Sequence, residues 1–328
     1  MDKKVYTTTN TQLRKLRSRG LVIQNGSRAK RILEMENYYN LINGYKGLFL
    51  NPGYNGIDEQ YLPGTNFNEI YALYHFDREL RSLFLRYILQ IENNVKSVLA
   101  HKFSEQYGHD YYLKVANFEM SLKQGERKTQ AQKIGTITDL ISGLQHEISR
   151  QLSKNNSMVS HYMLEYGYVP LWVLVNTLTL GTISKFYAAM RQQDQNAVGL
   201  QFKQRPDEMT SILFVLSIYR NACAHDERLY NLKAVNNNLR PNRIKTNYLH
   251  RALGIPVDRG GNPVCGKNDL FAIVIIFKMM LPKTDFSRFC SSLKKLLSEL
   301  SLKLNVISVD VVLREMGFPQ NWEDIKGV

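Results

Sequence analysis

Residues 67–107 read FNEIYALYHFDRELRSLFLRYILQIENNVKSVLAHKFSEQY, a stretch without glycine or proline. Within it Leu73, Phe76, Leu80, Leu83, Tyr87, Ile91, Val95 and Val98 recur every three or four positions. That interval lines one face of a helix with 3.6 residues per turn. The opposite positions carry Asp77, Arg78, Arg81, Arg86, Glu92 and Lys96. The spacing predicts one long amphipathic helix, or two joined end to end, with the charged positions opposite the apolar stripe.

Outward from this stretch the helical pattern repeats. It returns at 131–152, after Pro170 (LWVLVNTLTLGTISKFYAAM), from Pro206 to Tyr219, at 270–280 and at 286–304. Pro206 followed by Asp207 and Glu208 is a helix-start signal, because proline has no N–H to lose there and carboxylates suit the positive end of the helix dipole. Alternating runs bounded by hairpin turns do not occur, and no repeat or low-complexity tract is visible. The expected fold is mainly α, an antiparallel helical bundle. Seven glycines and prolines between Asn43 and Gly64 mark loops or a joint. They suggest a basic helical N-terminal region over 1–64, a helical core over 65–250 and a helical extension over 251–328.

The chain has 328 residues, 43 Lys plus Arg against 29 Asp plus Glu, and a net charge of +14. Such an excess points to a polyanion, either nucleic acid or an acidic membrane surface, though it also serves solubility alone. Two tracts free of carboxylates concentrate it. The first holds Arg14, Lys15, Arg17, Arg19, Arg28, Lys30 and Arg31, on two short helices around Gly20 and Gly26. The second runs from Arg228 to Arg251 through Lys233, Arg240, Arg243 and Lys245, with Asn236, Asn237, Asn238 and Tyr248 among them. Contact with RNA phosphates is the functional reading of both, a solvated face the plain one.

Cys223, Cys265 and Cys290 form no CxxC pair, which argues against a disulfide framework or a cysteine-rich zinc site. The apolar run Leu270–Leu281 is too short to span a bilayer, and MDKKVYTTTN has no signal-peptide core. A cytoplasmic protein without a membrane segment is expected. Phosphate-binding and dinucleotide glycine motifs are absent, so no cofactor is implied.

Residues 217–228 read SIYRNACAHDER. Asn221 and His225 lie about 40° apart on a helix and share a face, and Arg220 is long enough to bend towards it. Histidine moves protons near neutral pH. Arginine offers a planar fork of donors to phosphate, and asparagine can hold the ring or an oxygen. Together these types suit metal-free RNA cleavage by a 2′-hydroxyl. Ala222, Cys223 and Ala224 between them would admit a close partner helix. Spacing alone, however, favours side chains that merely cap a helix end. Arg243 to His250 has a similar gap but no apolar helix ahead of it. His101, His109 and Asp110 read as a polar helix end, Glu147 and Glu165 as solvated. Trp172 reads as core, and Tyr38, Tyr39 and Tyr45 either stack on bases or pack.

YRNACAHDERLYN resembles the Arg-Asn-x-x-x-His signature of HEPN-domain ribonucleases, in the form carried by abortive-infection (Abi) proteins of the AbiD and AbiF kind. Further blocks resemble that family in the same order: LRKLRSRGLVIQN with ENYYNLINGY, FDRELRSLFLRYILQIENNVKSVLAHKF, YGYVPLWVLVNTLTLGTISKFY and MGFPQNW. The resemblance implies a HEPN-like bundle that dimerises so that two motifs form a composite ribonuclease site. Catalysis would fall to Arg220, Asn221 and His225, without metal, in phage defence or a toxin–antitoxin system, with RNA as substrate and a small structured RNA as candidate antitoxin. The rival expectation is a non-catalytic RNA-binding module that holds a structured RNA. A DNA-binding regulator is weaker, since no helix-turn-helix pattern is present.

Overall fold

The computed structural model describes residues 6–56, 58–122, 125–126, 129–235 and 240–328. The chain is all-helical, as the periodicity predicts, with only isolated β-bridges among the described residues. Its helices are α1 (Thr9–Ser18), α2 (Gly26–Met35), α3 (Phe67–Tyr107), α4 (Gln130–Ser153), α5 (Ser157–Tyr166), α6 (Leu171–Leu174), α7 (Leu180–Ala189), α8 (Gln192–Gln201), α9 (Pro206–Ala224), α10 (Tyr248–Ala252), α11 (Leu270–Met280), α12 (Lys283–Ser301) and α13 (Val309–Glu315). A π-helical turn, Tyr39–Asn43, precedes α3.

The 67–107 stretch forms a single helix of 41 residues. Asn66 and Glu69 close its start reciprocally, each accepting from a backbone N–H at the other end of the first turn. Around α3 pack α6, α8, α9 and α12, and α9 also lies along α7. One hydrophobic core runs from Leu13 in α1 through α3 and α9 to Ile325 near the C-terminus. The three sequence segments therefore share an interior.

Three expectations fail for local reasons. The pattern after Pro170 is not one helix: α6 ends after one turn, and Thr179 restarts the chain as α7 by accepting from the Thr182 N–H at 3.2 Å. Trp172 is not core. Its neighbours Leu171, Val173 and Leu174 take the buried positions of α6, and the indole is left 47% exposed beside Lys96, His101 and Asn176. Glu147 also departs from the solvated reading, because Arg150 and Gln151 both donate to it at 2.7 Å.

No helix among the described residues is long and apolar enough to cross a membrane.

Candidate nucleic-acid-processing site at the end of α9

α9 begins as its sequence dictates, with Pro206 in the first turn and Glu208 accepting from the Arg205 N–H at 3.0 Å. It ends at Ala224, and His225 is the capping residue, its N–H bonded to the Asn221 carbonyl at 2.9 Å. Asp226 then turns left-handed at φ 58°, and the Glu227 N–H reaches back to the Ala222 carbonyl at 3.0 Å. That is a Schellman-type ending, with aspartate in the position glycine usually takes.

The turn is fixed from α3. Asp77, fully buried, accepts from the Leu229 and Tyr230 N–H groups at 3.0 and 2.7 Å and from the Tyr45 hydroxyl at 2.7 Å. Arg81 binds Asp77 at 2.7 Å, donates to the Glu227 carbonyl at 3.2 Å and pairs with Asp226. Burial pushes the Asp77 carboxyl upwards, while Tyr45, the two amides and Arg81 all favour its charged form. Asp77 thus ties the segment after His225 to α3 and to Tyr45.

Arg220 is held from the same helix. Its Nε donates to Glu92 Oε2 at 3.3 Å, and Lys96 binds the other oxygen of that carboxylate at 2.7 Å. Glu92 is only 2% exposed. Two cations against one buried carboxylate leave the cluster net positive, with the Arg220 head half-buried.

The three motif residues therefore share one helix end but not one set of contacts. Arg220 is turned to Glu92. Asn221 and His225 are exposed, and neither side chain makes a hydrogen bond among the described residues. His225 lines a cleft of about 650 Å³ with Tyr39, Asn40, Asn43, Arg228, Asn231 and Lys233; Arg220 and Asn221 do not. Of the small residues expected to admit a partner helix, Ala222 and Cys223 are already covered by the chain's own core, and only Ala224 is open. Burial holds the Cys223 thiol up at about 12, which makes it an apolar filler rather than a nucleophile.

Asp77, Arg81, Glu92 and Lys96 lie opposite the apolar stripe of the long helix, where an amphipathic pattern predicts charge facing water. All four are buried. The signal for them was present as opposite charges four residues apart, Asp77 with Arg81 and Glu92 with Lys96, a spacing that makes pairs on one helix face.

The basic tracts behave unevenly. Arg14, Lys15, Arg17, Arg28 and Arg31 are exposed, and Lys30 lies 3.7 Å from Glu34. Arg19 departs from the rest of the first tract: Asp58 and Glu59 bind its guanidinium, which ties α1 to the loop before α3 and leaves it a structural side chain. In the second tract Arg228 donates to the Gly44 carbonyl at 2.7 Å and Lys233 to the Glu315 carbonyl at 3.4 Å. Lys245 faces Asp207 at 3.8 Å, and Arg240 and Arg243 are exposed. Asn236, Asn237 and Asn238 lie outside the described residues. No group of three or more His, Cys, Asp and Glu side chains placed to hold a metal ion occurs among the described residues.

Fold and site together define an all-helical protein that presents a polar Arg-Asn-x-x-x-His turn on a helix end clamped by one long central helix. The chain belongs to the Abi-like protein family, whose model matches residues 31–231. That span takes in the π-helical turn, α3, α9 and the loop that Asp77 holds. No curated protein and no solved structure gives a significant match.

Proposed function

We propose that this chain is a metal-independent endoribonuclease of the HEPN kind, acting in abortive infection or a related toxin system. The observation that carries the reading is His225. It is an exposed imidazole without a hydrogen-bond partner among the described residues, at the edge of a cleft, on a turn whose backbone is pinned by Asp77 and Arg81. A ring that merely capped α9 would bond its last carbonyls, and this one does not.

In the reaction the ribose 2′-oxygen attacks phosphorus and gives its proton to one imidazole. The bond from phosphorus to the 5′-oxygen breaks, and that oxygen takes a proton from a second imidazole. The products are a 2′,3′-cyclic phosphate and a 5′-hydroxyl. Arg220 would balance the charge on the pentavalent phosphorus, and Asn221 would orient the ring or a phosphate oxygen. One exposed motif histidine per chain supplies half of this, so a homodimer completes the site. α9 leaves Phe214 41% exposed, with Ile218 half-buried and Asn221 open on the same stripe. That stripe, rather than Ala222 and Cys223, is the face on which two copies would meet.

The test is cleavage of RNA by purified protein in EDTA, with product ends analysed. Cyclic phosphate ends, and no cutting of RNA deoxy at the scissile nucleotide, are expected. Cleavage of the deoxy substrate, or activity that appears only with added Mg²⁺, would overturn the mechanism. A second reading, a non-catalytic module that holds a structured RNA, is favoured by one observation: Arg220 is engaged by Glu92 and lies outside the His225 cleft. Tight RNA binding without any product would decide for it.

A further inference from the structure

We propose that the cleft beside His225 is a subsite for one unpaired nucleobase of the RNA, with Tyr39 as its stacking face. The inference rests on RNA as the ligand and not on cleavage. Three tyrosines crowd this part of the chain, and their environments differ. Tyr45 is buried against Tyr74 and Tyr230 and donates to Asp77. Tyr38 is half-buried against the core. Tyr39 alone of the three is left 70% exposed, on the wall of the cleft.

The ring stands on a fixed base. It opens a π-helical turn, a rare conformation that recurs at functional sites. Its N–H is anchored on Asn37 Oδ1 at 2.8 Å. The far end of the same turn is tied to the opposite wall, where Arg228 donates to the Gly44 carbonyl at 2.7 Å. A Cβ at Gly44 would lie 3.3 Å from the Arg228 side chain, so the two walls meet there at close range. The cleft is thus preformed, and about 650 Å³ falls within the usual range of roughly 300–1,000 Å³ for small-ligand sites.

The lining fits a base with phosphate on either side. Asn40, Asn43 and Asn231 project amides that make no side-chain hydrogen bond among the described residues. An amide both donates and accepts, as does the edge of an unpaired base. Arg228 and Lys233 add positive charge at the rim. Of the two acids there, Asp226 is matched by Arg81, and Glu227 remains to accept from an exocyclic amino group. Stacking needs a base free of its own helix, so the ligand is single-stranded or loop RNA rather than a duplex.

Binding of a short labelled single-stranded RNA of mixed sequence, 2′-O-methylated so that it cannot be cut, tests this without reference to activity. Tyr39→Ala should weaken binding roughly 5- to 150-fold, the range for loss of one stacked base. Tyr39→Phe should bind as wild type. Abasic substitution scanned along the RNA should find one position at which wild type loses the same factor and Tyr39→Ala loses nothing further. Duplex RNA of that sequence should show no dependence on Tyr39. Equal affinity of wild type and Tyr39→Ala, with every abasic position additive, would overturn the subsite. A Tyr39→Ala protein that turns monomeric in place of a wild-type dimer would also overturn it, assigning the ring to a protein contact. Tyr39-dependent binding with no cleavage of unmodified RNA sinks the nuclease reading and keeps the subsite. Cleavage and binding that both ignore Tyr39 do the reverse.

Discussion

Two stretches of this chain place an arginine a few residues before a histidine, and folding sends them to opposite environments. His225, five residues after Arg220, ends on the surface with no hydrogen-bond partner among the described residues. His250, seven residues after Arg243, is 1% exposed. Its Nδ1 lies 3.2 Å from the Asn247 N–H and 3.1 Å from Asn247 Oδ1, and its Nε2 lies 2.9 Å from the Gly266 carbonyl, so both ring nitrogens are engaged. Burial, then the Lys267 charge, holds its pKa below the ordinary histidine value, whereas hydrogen bonds to Gly266 and Asn247 pull the other way. One ring is open to solvent; the other joins α10 to the loop before α11. The difference teaches that spacing nominates a residue, and that satisfied ring nitrogens disqualify it.

The largest effect that can break this contrast is catalytic. His225→Ala should lose on the order of 10²–10⁴ in cleavage rate with unchanged melting temperature. Rates near wild type at equal protein level would make His225 as structural as His250.

The reciprocal change should move stability and leave chemistry intact. His250→Ala strands the Gly266 carbonyl and the Asn247 N–H and should cost about 1–3 kcal/mol in denaturant unfolding. Well below its melting temperature it should cut RNA at the wild-type rate. Loss of activity in a folded His250→Ala protein would bring the second stretch back as a site.

Acid probes the buried ring in a smaller measurement. A histidine whose folded pKa is depressed favours its neutral form. Its stabilising contribution is whole above the unfolded value of about 6.5 and is lost as pH falls through the lowered folded value. Melting temperature should therefore fall from pH 7 to pH 5 in wild type, and fall less in His250→Gln. Parallel curves would mean that folding leaves the His250 pKa at its unfolded value.

The smallest effect concerns RNA capture away from either histidine. Arg14, Lys15 and Arg17 are exposed on α1, whereas Arg19 is consumed by Asp58 and Glu59. Replacing the first three by Gln should flatten the slope of log K against log salt by up to about two units, at roughly 0.7 per phosphate on single strands. Replacing Arg19 should instead lower stability. An unchanged slope in the triple variant would move capture to the tract beginning at Arg228.

The sequence by itself determined the helices. Periodicity and end signals placed α3 and α11 at their observed bounds and α4 to within a residue, and located α9 and α12 with ends shifted by three to five residues, because a long apolar stripe and a first-turn proline act locally. It also nominated Arg220, Asn221 and His225, through spacing and through resemblance. What it misjudged depends on which neighbour arrives. Asp77, Arg81, Glu92 and Lys96 sit on a helix face whose fate is set by the loop after α9 and by Arg220, more than a hundred residues away. A charged face reads as solvated until another segment supplies its countercharges. Trp172 shows the converse, since an apolar ring stays outside when a one-turn helix has three better-placed neighbours to bury. Tyr38, Tyr39 and Tyr45 are alike in sequence, and only the packing of their turn against α3 and the Arg228 loop leaves Tyr39 free. Local backbone preference is written in the chain. Burial is a property of pairs distant in sequence, and only the tertiary structure brings those pairs together.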